Sequence, residues 1–320
     1  MARADYPRAV TDGEQGTAPS ESARGFAMGA SAYVLWGSFP LFWPLLSPSG
    51  ALEVLAHRIV WSVVVMGVLL VGLRRVPQFR TILRTPRQRR LLVLAALVVT
   101  LNWGGYIYGV THGKVVETSL GYFINPLVTV LMGVFVLGER LRPWQWFAIG
   151  LAGTAVVGLT VEYGRPPWIA LLLAFSFGTY GLAKKQAGVE AVESLAFETA
   201  VLAPVALGYL VWLGATGRDH LTGYGAGHVL LLMSTGVVTA VPLLLFGAAA
   251  IRVPMTTLGL LQYLAPVIQF VIGVTVAGEA MTPWRYAGFA LVWLALVIFT
   301  VEALRHRRRQ LRLTALASAV

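Results

Sequence analysis

Apolar runs of roughly twenty residues recur along nearly the whole of this chain, and they constrain its fold more than any other feature. A helix of about that length spans the hydrocarbon core of a bilayer. Of the 320 residues, 57% are hydrophobic and 12% are charged, whereas about a quarter are charged in soluble domains. A soluble protein cannot bury that much apolar surface, so the sequence predicts an all-α integral membrane protein with many spans.

Ten apolar windows are separated by short connections that carry turn-forming residues. Connections this short leave no room for a soluble domain. The predicted spans cover residues 25–46, 51–74, 90–111, 116–138, 142–161, 167–186, 191–214, 227–250, 255–278 and 281–304. The polar segment 1–24 is predicted to be a disordered cytoplasmic tail, and the segment 305–320 to be a basic cytoplasmic tail.

Basic residues set the predicted orientation, because Lys and Arg are enriched in the cytoplasmic loops of membrane proteins. The segment 74–90 holds seven arginines, and the segment 305–312 holds five. Ten spans place both segments, and both termini, on the cytoplasmic side. The net charge of +11 is concentrated in such connections, so we expect lipid and not nucleic acid as the partner of the basic residues.

One stretch of this sequence occurs twice. The segments INPLVTVLMGVFVLGERLRPW (124–144) and LAPVIQFVIGVTVAGEAMTPW (264–284) share a proline, a glutamate and a Pro-Trp pair at an offset of 140 residues. That offset covers five predicted spans, and an odd number of spans makes the second copy enter the membrane from the opposite side. The sequence therefore predicts two inverted repeats, residues 25–161 and 167–304, a construction that recurs in secondary transporters.

Several stretches together resemble one known family. They read AHRIVWS (56–62), TSLGYFINPL (118–127), GERLRPWQW (138–146), LAFSFGTYG (173–181) and TTLGLLQYLAP (256–266). On these residues the chain resembles the RarD family, bacterial members of the drug/metabolite transporter superfamily built from two EamA-type repeats. The resemblance implies ten helices in two inverted repeats, a central substrate cavity, and export or exchange of small metabolites. It assigns neither a substrate nor site residues.

Polar and aromatic residues from both repeats fall near the middle of their predicted spans, counted at about 1.5 Å per helical residue. At that depth a side chain contacts a solute or only packs against another helix, and for the amides we leave both interpretations open. The predicted substrate-binding residues are Trp36, Asn102, Trp103, Tyr106, Tyr122, Asn125, Gln262 and Tyr263.

Prolines inside spans are the second group of candidates. A proline removes a backbone donor and frees a carbonyl, and broken membrane helices are tolerated where they line a cavity. Shaping the helix without touching solute is the alternative for each. The predicted helix-breaking residues are Pro126, Pro242 and Pro266.

Ionisable residues inside spans form the third group. A charge at the centre of a membrane helix costs about 2.5–3.5 kcal/mol on insertion scales, so it has a partner or lines a wet pathway. Arg58 and Glu198 stand 140 residues apart, at equivalent positions of the two repeats. We predict gating or proton coupling for His57, Arg58 and Glu198, with His57 as the proton-linked group. Snorkelling or a fixed ion pair is the alternative.

Residues near span ends are given interfacial or capping roles. Glu139 and Glu279 are predicted to bond the first amides of the helix that follows each of them. Lys184 and Lys185 are predicted to be solvated residues that set orientation. The predicted interfacial anchors are Trp43, Trp144, Trp168 and Trp284.

Other function classes find little support in the sequence. Cysteine is absent, no HExxH motif occurs, and GVTHGKV (109–115) lacks the spacing of a phosphate-binding loop. We therefore expect no enzyme activity, no cofactor and no metal. The sequence predicts a secondary transporter of the bacterial cytoplasmic membrane that moves a small organic solute by alternating access, more outward than inward. An uncoupled channel or facilitator and a homodimer stay open, and a membrane-embedded enzyme is the least favoured alternative.

Overall fold

The computed structural model describes residues 21–137, 141–221, 223–250 and 261–317, and all regular secondary structure within them is helical. A short 3-10 turn, Trp43–Leu46, follows the first α-helix. The α-helices are α1 Glu21–Phe42, α2 Ala51–Gly72, α3 Val76–Arg84, α4 Pro86–Thr111, α5 Val115–Leu137, α6 Pro143–Tyr163, α7 Trp168–Ala187, α8 Ala191–Ala215, α9 Gly225–Ala250, α10 Leu264–Thr275 and α11 Pro283–Ala317.

The described helices have the dimensions and surface of membrane spans. Six of them, α2, α4, α6, α8, α9 and α11, contain stretches long and apolar enough to cross a bilayer, and α7 and α10 are shorter apolar helices. Large apolar side chains cover the outside, and Phe135 and Val161 are each 78% exposed. Because lipid rather than water covers such a surface, the protein is an all-α membrane protein that crosses the bilayer several times.

Two segments predicted to be irregular are helical. The helix α3 lies in the arginine-rich connection, where Ile82 is buried and the ring of Phe79 lies 6.4 Å from that of Phe197. Too few apolar residues mark this helix for a search based on apolar runs. The helix α11 continues to Ala317, thirteen residues past the predicted end at 304, because its last part contains good helix formers and neither glycine nor proline.

The helices pack in a network that joins the two halves of the chain. The helices α4 and α5 both pack on α7, and α1 packs on α9 and α10. The helix α2 packs on α8 and α9, while α4 also contacts α8. Two further pairs are α6 with α11 and α5 with α10. One apolar cluster contains Trp43, Trp103 and Leu202, and a second contains Phe123, Phe270 and Phe289.

Glycine allows α2 and α9 to approach each other closely. A Cβ atom at Gly236 would lie 2.5 Å from the backbone carbonyl of Trp61. Small residues at helix interfaces let backbones approach in this way, and dispersion between them stabilises packing in a solvent as apolar as the helices. The approach holds α9 against the part of α2 that follows Arg58.

The prolines inside α5 and α9 do not break their helices. The helix α5 continues through Pro126 and α9 through Pro242, so the prediction of helix breaks is wrong at these two positions. A proline within a membrane helix forfeits one backbone hydrogen bond, and neighbouring helices hold the rest of the helix together. Pro266 lies in the first turn of α10, directly after a turn at residues 262–263.

Candidate functional site

A buried arginine lies at the meeting point of α2, α4 and α9. Arg58 of α2 is 4% exposed. Its guanidinium carbon lies 3.9 Å from the ring centroid of Trp103 and 5.2 Å from that of Trp43. Its Nε donates a hydrogen bond of 2.9 Å to the Thr239 hydroxyl of α9. The guanidinium is therefore enclosed by aromatic faces instead of reaching the membrane surface, so the snorkelling alternative is wrong.

Two tyrosines and an asparagine continue this site towards α5 and α7. The rings of Tyr106 and Tyr122 lie 5.6 Å apart, and the Tyr122 hydroxyl donates to Asn102 Oδ1 at 3.3 Å. Asn102 Nδ2 donates to the Leu173 carbonyl and to Ser176 Oγ, both at 3.0 Å. Both ends of the Asn102 amide are thus used to join α4 to α5 and α7, which favours the structural interpretation for this residue.

The structure brings together some of the predicted substrate-binding residues and separates others. Trp103, Tyr106 and Tyr122 pack in the same apolar cluster, whereas Tyr263 packs in the second cluster. Gln262 is half-buried and Asn125 is buried on α5. Trp36 touches the first cluster, yet its ring contacts are with Tyr33 at 5.3 Å and Phe246 at 5.9 Å. We call Arg58, Trp43, Trp103, Tyr106 and Tyr122 the arginine site.

His57 precedes Arg58 and faces a different set of polar groups. It is 3% exposed, and neither ring nitrogen has a hydrogen-bond partner. The charged or titratable groups that act on it are Glu53, His228 and Asp219. Glu53 accepts hydrogen bonds from the backbone N–H of His220 at 2.7 Å and pairs with its Nδ1 at 2.6 Å. His57 therefore lies apart from the arginine site, in a polar cluster at the start of α2.

Glu198 lies in a buried ion pair. It is 1% exposed and accepts hydrogen bonds from Ser194 Oγ at 2.6 Å, Lys184 Nζ at 3.1 Å and the Tyr180 hydroxyl at 3.2 Å. The Lys184 side chain is 21% exposed. The prediction that Lys184 is a solvated residue is therefore wrong, because a buried carboxylate within reach attracts its ammonium group. The side chain of Lys185 lies outside the described part of the structure.

A polar pocket of about 280 Å³ lies among the connections α4–α5, α6–α7 and α10–α11. Arg165 Nη2 pairs with Glu117 at 2.8 Å, and the backbone N–H of Ile169 donates to the same carboxylate at 3.1 Å. Glu279 accepts hydrogen bonds from the N–H groups of Val115 and Val116 at the start of α5. Four ionised or ionisable side chains thus converge on one pocket: Glu117, Arg165, Glu279 and Arg285.

Burial raises the pKa of the Glu279 carboxyl to about 7. The two amide hydrogen bonds at α5 and the nearby Arg285 favour the ionised form, and Glu117 disfavours it. Desolvation exceeds the favourable contributions, so this connection between α10 and α11 contains a group that titrates near neutral pH.

The position of Glu279 corrects the predicted capping role. Glu279 caps α5, which comes from the other half of the chain, and not the helix α11 that follows it. The α11 cap is Thr282, whose hydroxyl accepts from the backbone N–H of Arg285 at 3.2 Å. The tertiary fold brings the start of α5 next to Glu279, a proximity that spacing along the chain cannot reveal. Glu139 lies outside the described residues.

One of the four predicted interfacial tryptophans is misplaced. Trp144, Trp168 and Trp284 are exposed near helix ends, but Trp43 is 1% exposed and packs beside Arg58. The 3-10 turn folds Trp43 back under α2, which is why its place at a span end was misleading. Sequence reasoning also missed Thr239, Ser176 and Gln269; buried threonines four residues apart on α9, Thr235 and Thr239, were the available signal.

Comparisons with known proteins agree with this architecture. Residues 23–161 match the model of the EamA-like transporter family. "Protein RarD" of Streptomyces exfoliatus is 58% identical over 95% of this chain and 96% of its own length. "Uncharacterized transporter YojE" of Bacillus subtilis is 41% identical over 90% and 97%, and "Protein RarD" of Escherichia coli is 39% identical over 90% and 98%. A crystal structure with 21% identity covers 87% of this chain and 98% of its own, with a TM-score of 0.57, so it shares the fold.

Proposed function

The chain belongs to the RarD family of EamA-type membrane transporters, and from this premise we propose that it carries a small organic solute across the bacterial cytoplasmic membrane by alternating access. The arginine site is the observation that carries the proposal. It combines a buried cation with aromatic walls where α2 and α4 of the first half meet α9 of the second. Intramembrane ionisable residues in such positions mark solute pathways in transporters.

Ten spans in two inverted repeats are part of this proposal. A shift by five spans turns the packing of α4 on α7 into that of α1 on α9, and the packing of α5 on α7 into that of α1 on α10. The buried glutamates Glu53 and Glu193, 140 residues apart, behave in the same way. Glu53 binds His220 in the α8–α9 connection, and Glu193 binds Arg75 in the α2–α3 connection at 3.1 Å. These equivalences support the repeat.

Polar contacts support the proposed topology with both termini in the cytoplasm. Every contact joins segments that ten alternating spans place on the same face of the membrane. Arg75 with Glu193 and Arg142 with Glu302 belong to the cytoplasmic face. His220 with Glu53 belongs to the outer face, as do two contacts of the polar pocket: Arg165 with Glu117, and Glu279 with the start of α5.

Two charged clusters are suited to gate the arginine site from opposite sides. The pair Glu198–Lys184 lies towards the cytoplasmic face and the pair Glu117–Arg165 towards the outer face. Alternating access requires that each cluster opens while the other stays closed, and ion pairs at the membrane surface can be exchanged for water at low cost. His57, buried and without hydrogen-bond partners, is the proposed proton-linked group, and the proposed direction of net transport is outward.

Transport assays separate this proposal from a channel. Metabolite profiles of medium and cells from deletion and overexpression strains identify the solute, and we expect it to rise in the medium on overexpression. Purified protein in liposomes then carries labelled solute in a counterflow assay. A carrier shows trans-stimulation by unlabelled solute, whereas an uncoupled channel shows none. Labelled solute that equilibrates at the same rate with and without unlabelled solute on the far side contradicts alternating access.

A further inference from the structure

The arginine site holds a cation without a compensating anion. A guanidinium has five N–H donors. Arg58 uses one of them, Nε, for Thr239, which leaves four without an acceptor among the described residues. The ionisable groups that act on Arg58 are Tyr122 and Tyr106, and both are neutral at physiological pH. The charge of Arg58 is therefore balanced by no side chain that the structure describes.

The buried carboxylates are already used elsewhere. Each is held by a cation or a histidine within 3.1 Å, so none is available to Arg58 without breaking another pair. These pairs are Glu53 with His220, Glu117 with Arg165, Glu193 with Arg75, and Glu198 with Lys184. Arg58 thus differs from the other charges buried in the described structure.

The aromatic faces around Arg58 stabilise its charge only in part. Contacts with Trp103 and Trp43 use the face of the guanidinium, while its in-plane N–H groups stay unused. Such contacts are weaker than the desolvation that burial imposes on an ion. Two more donors nearby lack a partner, the buried hydroxyl of Tyr106 and the indole N–H of Trp43. Unused donors around one uncompensated cation are complementary to an anion.

We propose that the transported solute is a small organic anion, whose carboxylate or phosphate group binds Arg58 and Tyr106 while its apolar or flat body packs against Trp103 and Tyr122. Arginine presents a planar fork that matches both anionic groups, and aromatic walls bind an apolar body without a specific hydrogen-bond pattern. This assignment rests on the proposed transport function and adds the class of solute to it.

Binding of defined probes tests the charge preference directly. Full-length protein in phosphatidylcholine nanodiscs is titrated with benzoate, phenyl phosphate, benzamide and benzylamine, and intrinsic tryptophan fluorescence reports binding. We expect benzoate or phenyl phosphate to bind at least tenfold more tightly than benzamide, with no binding of benzylamine. Failure of both anions to bind, or equal affinity for benzoate and benzamide, contradicts the proposal.

Variants locate the binding site of the anion. Arg58→Gln removes the charge and should weaken anion binding at least tenfold, and Arg58→Lys should weaken it less. The control is Arg285→Gln in the polar pocket, which should leave the affinity unchanged. Unfolding in SDS checks that each variant is folded. Anion binding that survives Arg58→Gln, or that Arg285→Gln abolishes, places the anion elsewhere and contradicts the proposal.

Two further arms separate alternative sources and the two levels of the proposal. Nanodiscs with phosphatidylglycerol test a lipid headgroup as the occupant. We expect no competition, and loss of probe binding in them assigns the site to lipid and contradicts a solute site. If profiling identifies a neutral or cationic solute that shows counterflow, transport stands and the anion assignment is wrong. If anions bind at Arg58 but no solute shows trans-stimulation, the binding site stands and the proposed carrier mechanism is wrong.

Discussion

Replacing Arg58 by methionine tests whether this arginine is kept for binding and not for stability. Methionine keeps most of the length of the side chain and removes its charge. The change relieves a burial cost of about 2.5–3.5 kcal/mol for a charge in a membrane helix. It loses one charge-assisted hydrogen bond to Thr239, about 1.5–3 kcal/mol, and cation–π contacts worth about 1–2 kcal/mol. The contributions nearly cancel.

We therefore expect Arg58→Met to change the free energy of unfolding by no more than about 1 kcal/mol while it abolishes transport. The matched comparison is Glu198→Ala at the equivalent position of the second half. It leaves Lys184 without its buried partner and should cost about 3–5 kcal/mol. SDS titration of purified protein in mixed micelles measures both. A loss of about 3 kcal/mol or more in Arg58→Met would refute the reasoning, because it would show that a protein group compensates the Arg58 charge.

Three other predictions concern stability. Glu279→Gln should flatten the pH dependence of the melting temperature between pH 4.5 and about 7, because the pKa of Glu279, raised from 4.5 to about 7 in the folded protein, makes stability fall as pH rises through that window. Gly236→Ala should cost about 1–3 kcal/mol by forcing α9 from Trp61, and Gly208→Ala on α8, with no atom within 4 Å, is its control. Asn102→Ala should cost about 1–2 kcal/mol in SDS unfolding.

The opposite outcomes are equally specific. An unchanged pH slope in Glu279→Gln would mean that another group titrates in the polar pocket, where Glu117 is the nearest carboxylate. Equal stability of the Gly236 and Gly208 variants would mean that α2 and α9 do not approach closely. Wild-type stability of Asn102→Ala, together with loss of solute binding, would move Asn102 from the structural to the substrate-contacting group.

The membrane class and the buried charges could be predicted because they follow from single residues and from short periods. Apolar runs alone indicate the spans, since a bilayer allows few alternatives to helices. Arg58 and Glu198 attract attention because a charge within such a run is costly wherever it points. Their surroundings, one unpaired and one in an ion pair with Lys184, depend on neighbours far along the chain.

The residues that were missed or misplaced depend on tertiary contacts. Trp43 follows the end of a helix, and only the 3-10 turn shows that it folds inward against Arg58. Thr239 lies in an apolar run where a lone threonine commonly bonds its own backbone, and it does so to the carbonyl of Thr235 as well. Glu279 was assigned to the nearest helix along the chain, whereas the fold brings it to the start of α5.

The most direct measurement of alternating access uses the absence of cysteine from this chain. A single Ser176→Cys replacement places a thiol beside Asn102, next to the arginine site. A membrane-impermeant maleimide is applied from either side of oriented vesicles, with and without Glu198→Ala, which opens the cytoplasmic ion pair. The account predicts that labelling from the cytoplasmic side increases while labelling from the outside decreases. Labelling that increases from both sides together, or changes from neither, contradicts it.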